Sequence, residues 1–213
     1  MPKGPPSPVM DLLVATRSAH KMAEIRDILG PVPDLRVLDL DQAGVVYAAA
    51  EDDLEPYATF EQNAISKATY FREVSGLPTV ADDSGIEVDA LDGAPGVRSK
   101  RFAPERGLAG EARDRSNNAY LLELLGDRPM DERTARYVCV AALALGGEDI
   151  TTLRGEAPGV IALTPKGEGG FGYDALFFDL EIGRTFGELS PEEKQARSHR
   201  SRAFQALAKH LSS

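Results

Sequence analysis

The stretch from Asp11 to Gly30 restricts the fold more than any other. "DLLVAT" is an apolar run of strand length, and "SAHKMAEIRDILG" follows with Met22, Ile25 and Leu29 at helical spacing and Gly30 as a stop. A strand that passes through a tight loop into an amphipathic helix needs a sheet beneath it and a helix layer above. The rest of the chain repeats this change of period. "LRVLDL" (Leu35 to Leu40) and "GVVYAA" (Gly44 to Ala49) read as short strands, and the acidic loop "EDDLEPY" follows. Thr59 and Gln62 make a capping box for a helix with Phe60, Ala64, Ile65, Ala68, Phe71 and Val74 inward, ending near Gly76.

"LPTVADDSG" then reads as a buried strand running into a turn, and "DRSNNAYLLELLG" as a helix stopping at Gly126. "TARYVCVAALAL" and "DITTLRGEAPGVIAL" are long β segments joined by a "GGED" hairpin turn, and "TPKGEGGFGYD" is a glycine-rich loop. Ser190, Pro191 and Glu193 open a last helix, broken near Ser198, that runs to the C-terminus. Crossover helices together with a hairpin predict one α/β domain over residues 11–213 with a mixed sheet. The Pro- and Gly-rich head, residues 1–10, reads as a disordered leader, with Met10 an alternative start.

Charge and composition remove several partners. The chain has 34 acids against 24 bases, a net charge of -10, which opposes the field that polymeric nucleic acid binding relies on. A small anion remains open, because a few cations and a metal can reverse the sign inside one pocket. The apolar runs fall short of the ~20 residues of a membrane span. A single Cys139 cannot form an internal disulfide, which suits a reducing, cytoplasmic setting. His20, His199 and His210, scattered along the chain, do not make a zinc site.

Each candidate site also has a plain structural reading. Asp82 and Asp83 stand at the end of the "VADD" run, where alternate side chains face opposite ways; one of them can hold magnesium, or the pair can simply serve the turn. Thr16, Arg17, Ser18, Ala19, His20 and Lys21 occupy a strand-to-helix loop that offers N–H groups to an anion, or else only a cap at Ser18. Asn63 and Lys67, four apart, share a helix face that is either functional or solvated. Phe171, Gly172, Tyr173 and Asp174 end a loop that lets backbone approach a ligand beside a stacking ring, or that is merely flexible. Lys194, His199 and Arg200 cluster within seven residues, as an exposed helix face also would.

Taken together, "LLVATRSAHKMAEI", "TFEQNAISKA", "ADDSGIEVDALDGAPGV", "GGFGYDALFF" and "ELSPEEKQARSHR" resemble, in order, the inosine triphosphate pyrophosphatase family. The resemblance runs from about Leu12 to Leu207. It implies an elongated mixed sheet flanked by helices, two lobes around a nucleotide-binding cleft, and usually a homodimer. It further implies magnesium-dependent hydrolysis of ITP, dITP and XTP to the monophosphate and pyrophosphate, as a house-cleaning reaction.

Residue by residue, Asp83 matches the family's catalytic carboxylate and metal ligand, Glu55 its second acid, Lys67 the phosphate-contacting lysine and Ser84 a substrate contact. Thr16 to Lys21 match the triphosphate loop, Phe171 to Asp174 the nucleoside loop, and Lys194, His199 and Arg200 the base-recognising end. Three positions depart from the pattern: Ser18 stands where asparagine is usual, Ala175 replaces a proline, and Arg98 a tyrosine. The rival readings are a septum-inhibition-type pyrophosphatase acting on dTTP and UTP, and a nucleotide sensor without turnover.

Overall fold

Residues 9–147 and 149–212 are described by the computed structural model. Among them, the strands are β1 (Met10–Val14), β2 (Leu35–Leu38), β3 (Thr79–Val88), β4 (Thr134–Ala144), β5 (Ile150–Ile161), β6 (Phe177–Asp179) and β7 (Arg184–Thr185). The helices are α1 (Ala19–Leu29), α2 (Phe60–Ser75), α3 (Gly110–Leu125), α4 (Pro191–Gln195) and α5 (His199–Leu211). The sheet order is β2-β1-β3-β4-β5-β6-β7. β1 pairs parallel with both β2 and β3, whereas β5–β6 and β6–β7 are antiparallel, so the sheet is mixed, as expected. Most of the predicted leader, residues 1–8, lies outside the described residues, and β1 begins at Met10. The predicted "GGED" turn includes Glu148, which also lies outside them.

The chain packs as two units. Unit 1 is the described part of Met1–Asp83, Val140–Arg154 and Ala203–Ser213; unit 2 is Ser84–Cys139 and Gly155–Arg202. In unit 1, Leu12, Leu13 and Val14 of β1 are buried with Ile25 and Leu29 of α1 and Ala64, Ala68 and Phe71 of α2. In unit 2, Ile86 and Val88 of β3 pack with Leu121 and Leu125 of α3 and with Tyr137, Phe177 and Phe186. Burying side chains of this size contributes about 1.5–3 kcal/mol each.

Three local predictions change. Gly44–Ala49 is not a strand: the Val45 carbonyl accepts from Arg17 Nη2 at 3.2 Å and the Ala48 N–H donates to Glu51 Oε1 at 3.1 Å, so side chains take groups a ladder would have used. A short 3₁₀ turn, Ala49–Asp53, begins at the end of this segment. In α2, Val74 is exposed and Ile65 only half-buried, while Asn63 is 1% exposed, so the buried stripe is rotated toward a polar residue. Lastly, β3 does not turn at Asp82–Gly85 but continues to Val88, because sheet pairing outweighs the local turn preference of Asp-Ser-Gly.

The last change matters for position. In unit 1 the chain passes from β1 to β2 on one side and then returns to β3 on the other, so β1 is where the strand order reverses. In open parallel α/β sheets, ligands bind beyond the carboxyl ends of strands at such a reversal. β1 pairs with β3 only as far as Val14↔Val80, and past that point lie the Thr16–Ser18 loop and Asp82–Asp83.

Candidate active site

Unit 1 gathers acids and ammonium groups beyond the end of β1. α2 is capped by Thr59, whose Oγ1 accepts from Gln62 N at 3.2 Å, and this start sets Asn63 and Lys67 on one face a turn apart. Lys67 Nζ donates to Glu55 Oε1 at 2.5 Å and to the Asp82 carbonyl at 2.6 Å, and lies 3.7 Å from Asp83 Oδ1. Asn63 Nδ2 donates to Asp83 Oδ2 at 3.0 Å. Lys21 Nζ, from the first turn of α1, meets Asp82 Oδ2 at 2.9 Å. The two aspartates are both buried, and each takes a different lysine as its nearest ammonium.

The electrostatics follow from this crowding. Burial pushes the Asp83 carboxyl above its ordinary range; Lys67 pulls it back, Glu55 pushes it further up, and Lys21 and the Asn63 hydrogen bond again favour the charged form. For Lys67, burial opposes the charge, but Asp83, Glu55 and Asp82 outweigh it and hold the ammonium above the usual lysine range. Three carboxylates thus face two ammonium groups, an excess of one negative charge.

This donor set fits magnesium. Glu55 and Asp83 supply two carboxylates near one point, and magnesium takes one or two carboxylates with water and substrate phosphates filling the rest. Among the described residues no group of three or more His, Cys, Asp and Glu side chains forms a complete protein cage.

The Thr16–Lys21 loop is partly committed to itself. Thr16 Oγ1 accepts from Ser18 N at 3.2 Å and Ser18 Oγ from Lys21 N at 3.4 Å, so both hydroxyls act first as caps. Arg17 turns to Glu51, with Nε and Nη2 on its two carboxylate oxygens at 3.0 and 2.8 Å, away from Asp83. Ala19 and His20 are exposed at the start of α1. From this predicted loop, Lys21 meets the acid cluster through Asp82.

Unit 2 holds the other predicted residues around Asp174. Its Oδ2 accepts from Lys194 Nζ at 2.7 Å and from Phe171 N at 2.8 Å, and its Oδ1 from Tyr137 OH at 3.2 Å. At Gly170, φ is +75° and an added Cβ would lie 2.1 Å from Asp174 Oδ2, so this turn requires glycine. Lys194 Nζ stands 4.5 Å from the Phe171 ring centre and Arg200 Cζ 5.8 Å, within cation–π range. Ser198 Oγ accepts from Ser201 N and starts α5, which places His199 and Arg200 in its first turn. His199 stacks on Tyr137, rings 4.6 Å apart and 8° from parallel, and Arg200 Nη2 donates to Ser84 Oγ at 3.1 Å.

Tyr173 has a structural part in this loop. It is buried, with its hydroxyl donating to the Ser99 carbonyl at 2.9 Å, so it anchors the loop. Burial, then Asp114, push its phenol well above the ordinary range. Asp174, 3% exposed, is likewise an organiser of Lys194 and Phe171. Two contributors join the residues that the resemblance named. Asn63 carries its signal in its four-residue spacing from Lys67, whereas Tyr137 is an aromatic in a strand and looks like any core ring.

The chain matches the model of the Ham1 family over residues 12–210. It is 46% identical over 200 residues to a protein of Geobacter sulfurreducens named dITP/XTP pyrophosphatase, covering 94% of this chain and 96% of that one. A protein of the same name from Nocardia farcinica is 46% identical over 205 residues, with 92% of each chain covered. Among solved structures, a HAM1 protein from Coxiella burnetii aligns with a TM-score of 0.82 at 33% identity, covering 95% of this chain and 98% of that one. The Staphylococcus aureus Ham1 protein aligns at 0.79 and 32%, covering 94% and 97%. Near-complete coverage at this identity, with the fold and acid cluster described above, places the chain in the Ham1 family.

Proposed function

We propose that this chain hydrolyses non-standard purine nucleoside triphosphates, dITP, ITP and XTP, to the monophosphate and pyrophosphate, with magnesium as cofactor. The observation that carries the reading is the meeting of Glu55 and Asp83 on the Lys67 ammonium, at the strand-order reversal of unit 1.

Unit 1 supplies the phosphate chemistry. Asp83 accepts a proton from the attacking water, and its raised pKa brings its basicity nearer to neutral pH, where a general base works best. Lys67 and Lys21 offset the charge that builds on the phosphate oxygens and on the departing pyrophosphate. Asn63 holds the Asp83 carboxylate in orientation. Magnesium, held by Glu55 and Asp83, would neutralise the polyphosphate and acidify water.

Unit 2 supplies base selection. Hypoxanthine and xanthine carry a 6-oxo acceptor where adenine carries an amino donor, so buried donors at that edge favour the former and reject ATP. His199 and Arg200, 5% and 2% exposed, are donors of that kind, and the Phe171 ring offers a stacking face. A mismatched buried polar group costs a factor of ~10⁴ in such sites.

The same reading carries a cytoplasmic homodimer. Light scattering on the purified chain tests the dimer; a monomer at micromolar concentration removes that part. For the reaction, pyrophosphate release is measured with and without magnesium over dITP, ITP, XTP, dGTP, ATP, dTTP and UTP. Release confined to the 6-oxo purine triphosphates, ITP above dGTP, is the expected result. Equal rates on ITP and ATP would show that the base is not read. Preference for dTTP and UTP would move the chain to the pyrimidine-acting type, and binding without release would make it a sensor.

A further inference from the structure

The loop that carries Phe171 is gripped from α3 at its tip. Gly172 N–H donates to Asp114 Oδ2 at 2.8 Å, and the Gly172 carbonyl accepts from Asn118 Nδ2 at 3.0 Å. Asp114 and Asn118 are four residues apart, so they lie one above the other on one helix face. A single residue in left-handed conformation, φ +65°, therefore has both of its backbone polar groups held from the same rigid element. The two bonds fix the peptide planes on either side of Gly172, and with the Asp174 contact to Phe171 N they leave the Phe171 backbone little freedom.

α3 is itself well anchored. Leu121 and Leu125 are fully buried, and Asn117 is tied to Ala103 N, Ser99 O and Lys100 O at 2.9, 3.2 and 3.2 Å. The Asp114 bond is charge-assisted, the stronger class of hydrogen bond. Asp114 and Asn118 both spend a side-chain hydrogen bond on Gly172. Their purpose is legible only through the ring next to Gly172, which is the stacking face of the proposed base site.

We infer that Asp114 and Asn118 are positioning residues for base selectivity, holding Gly172 so that the Phe171 ring is presented at a fixed angle to the purine. The inference rests on the proposed nucleotide pyrophosphatase reading. A site on a loop is only as accurate as the shell that supports it, and a misplacement of ~1 Å can cost large factors in recognition. Loss of the clamp acts on recognition more than on the chemical step, so it should appear in KM and in discrimination.

The test compares wild type with Asn118→Ala, Asp114→Ala, Asp114→Asn and Asn118→Asp, measuring kcat and KM for dITP and ATP, melting temperature, and amide hydrogen exchange at Phe171–Asp174. The two alanine variants are expected to raise KM for dITP roughly tenfold while kcat changes less than about threefold, narrowing the dITP-to-ATP ratio. Exchange at the loop tip should quicken. Asp114→Asn keeps an oxygen acceptor for Gly172 N–H and should restore most of the loss. Asn118→Asp has no N–H to give and should behave as the alanine does, so it carries the test if Asn118→Ala fails to fold. A wild type inactive on dITP overturns the pyrophosphatase reading together with this inference. A wild type that is active, with variants that keep their KM and discrimination, overturns the clamp alone; so does an equal loss on dITP and ATP accompanying a lowered melting temperature.

Discussion

Asp83→Asn should stop turnover and at the same time make the fold more stable. Asp83 is 7% exposed, and its carboxyl lies 3.7 Å from Lys67 Nζ. At an effective dielectric of ~20 that attraction is about 4 kcal/mol. Against it stand a desolvation cost of several kcal/mol for a buried carboxylate and the repulsion of Glu55. The raised pKa says that the penalties win. For an acid whose folded pKa lies above its unfolded value, the folded state binds the proton more tightly. Stability from this group is therefore present below the unfolded value near 3.8 and is lost as pH rises through the folded one.

At pH 7 the ionised Asp83 is thus a net cost, and asparagine removes it while its carbonyl still accepts from Asn63. A gain on the order of 1 kcal/mol is expected, or roughly 2–4 °C in melting temperature for a chain of this size. The assay is thermal unfolding with chelator present, so that no cation stabilises the wild type alone, run from pH 4 to pH 8 beside pyrophosphate release. The advantage of Asp83→Asn should be full at pH 7 and fade towards pH 4. A variant that melts lower than wild type at pH 7, or one that keeps wild-type turnover, would refute the reasoning.

Three other changes probe separate parts. Asn63→Ala removes one donor from Asp83 and the Asn63 bonds from Tyr57 N and O; a loss of about 2–3 kcal/mol in denaturant unfolding and a fall in kcat are expected. Tyr137→Phe keeps the stack on His199 but removes the hydroxyl from Asp174, so a cost of ~1 kcal/mol should accompany a higher KM for dITP. Gly170→Ala drives a methyl into Asp174 Oδ2 at a positive φ, and steady-state kinetics should show dITP selectivity collapsing while the Lys67 cluster of unit 1 is untouched.

The elements with strong periodicity were legible in advance. β1, α1, the Thr59 cap of α2, the Gly126 stop of α3 and the break before His199 all stand where spacing and caps put them, because each is decided by residues next to one another. The failures are tertiary. Gly44–Ala49 alternates well enough for a strand, but Glu51, just past its end, takes the Ala48 N–H, and Arg17, far away in sequence, takes the Val45 carbonyl. The Asp-Ser-Gly turn signal loses to sheet pairing for the same reason. The resemblance supplied Asp83, Glu55 and Lys67, and the geometry brings the two acids to the Lys67 ammonium. It could not reveal that Arg17 is bound to Glu51, or that Tyr173 is an anchor, because family motifs mark positions and not the direction in which a side chain turns.

Lys67 and Lys21 each already have a carboxylate of their own chain in contact. Under the proposed reading, a polyphosphate that engages these two lysines has to exchange with their resident acids. Such an exchange returns little to an anion bearing one or two charges, and more to one whose several phosphates engage both lysines together. Abundant cellular anions such as free phosphate would then be poor competitors, and the cleaved products, each with fewer charges than the parent, would be surrendered readily.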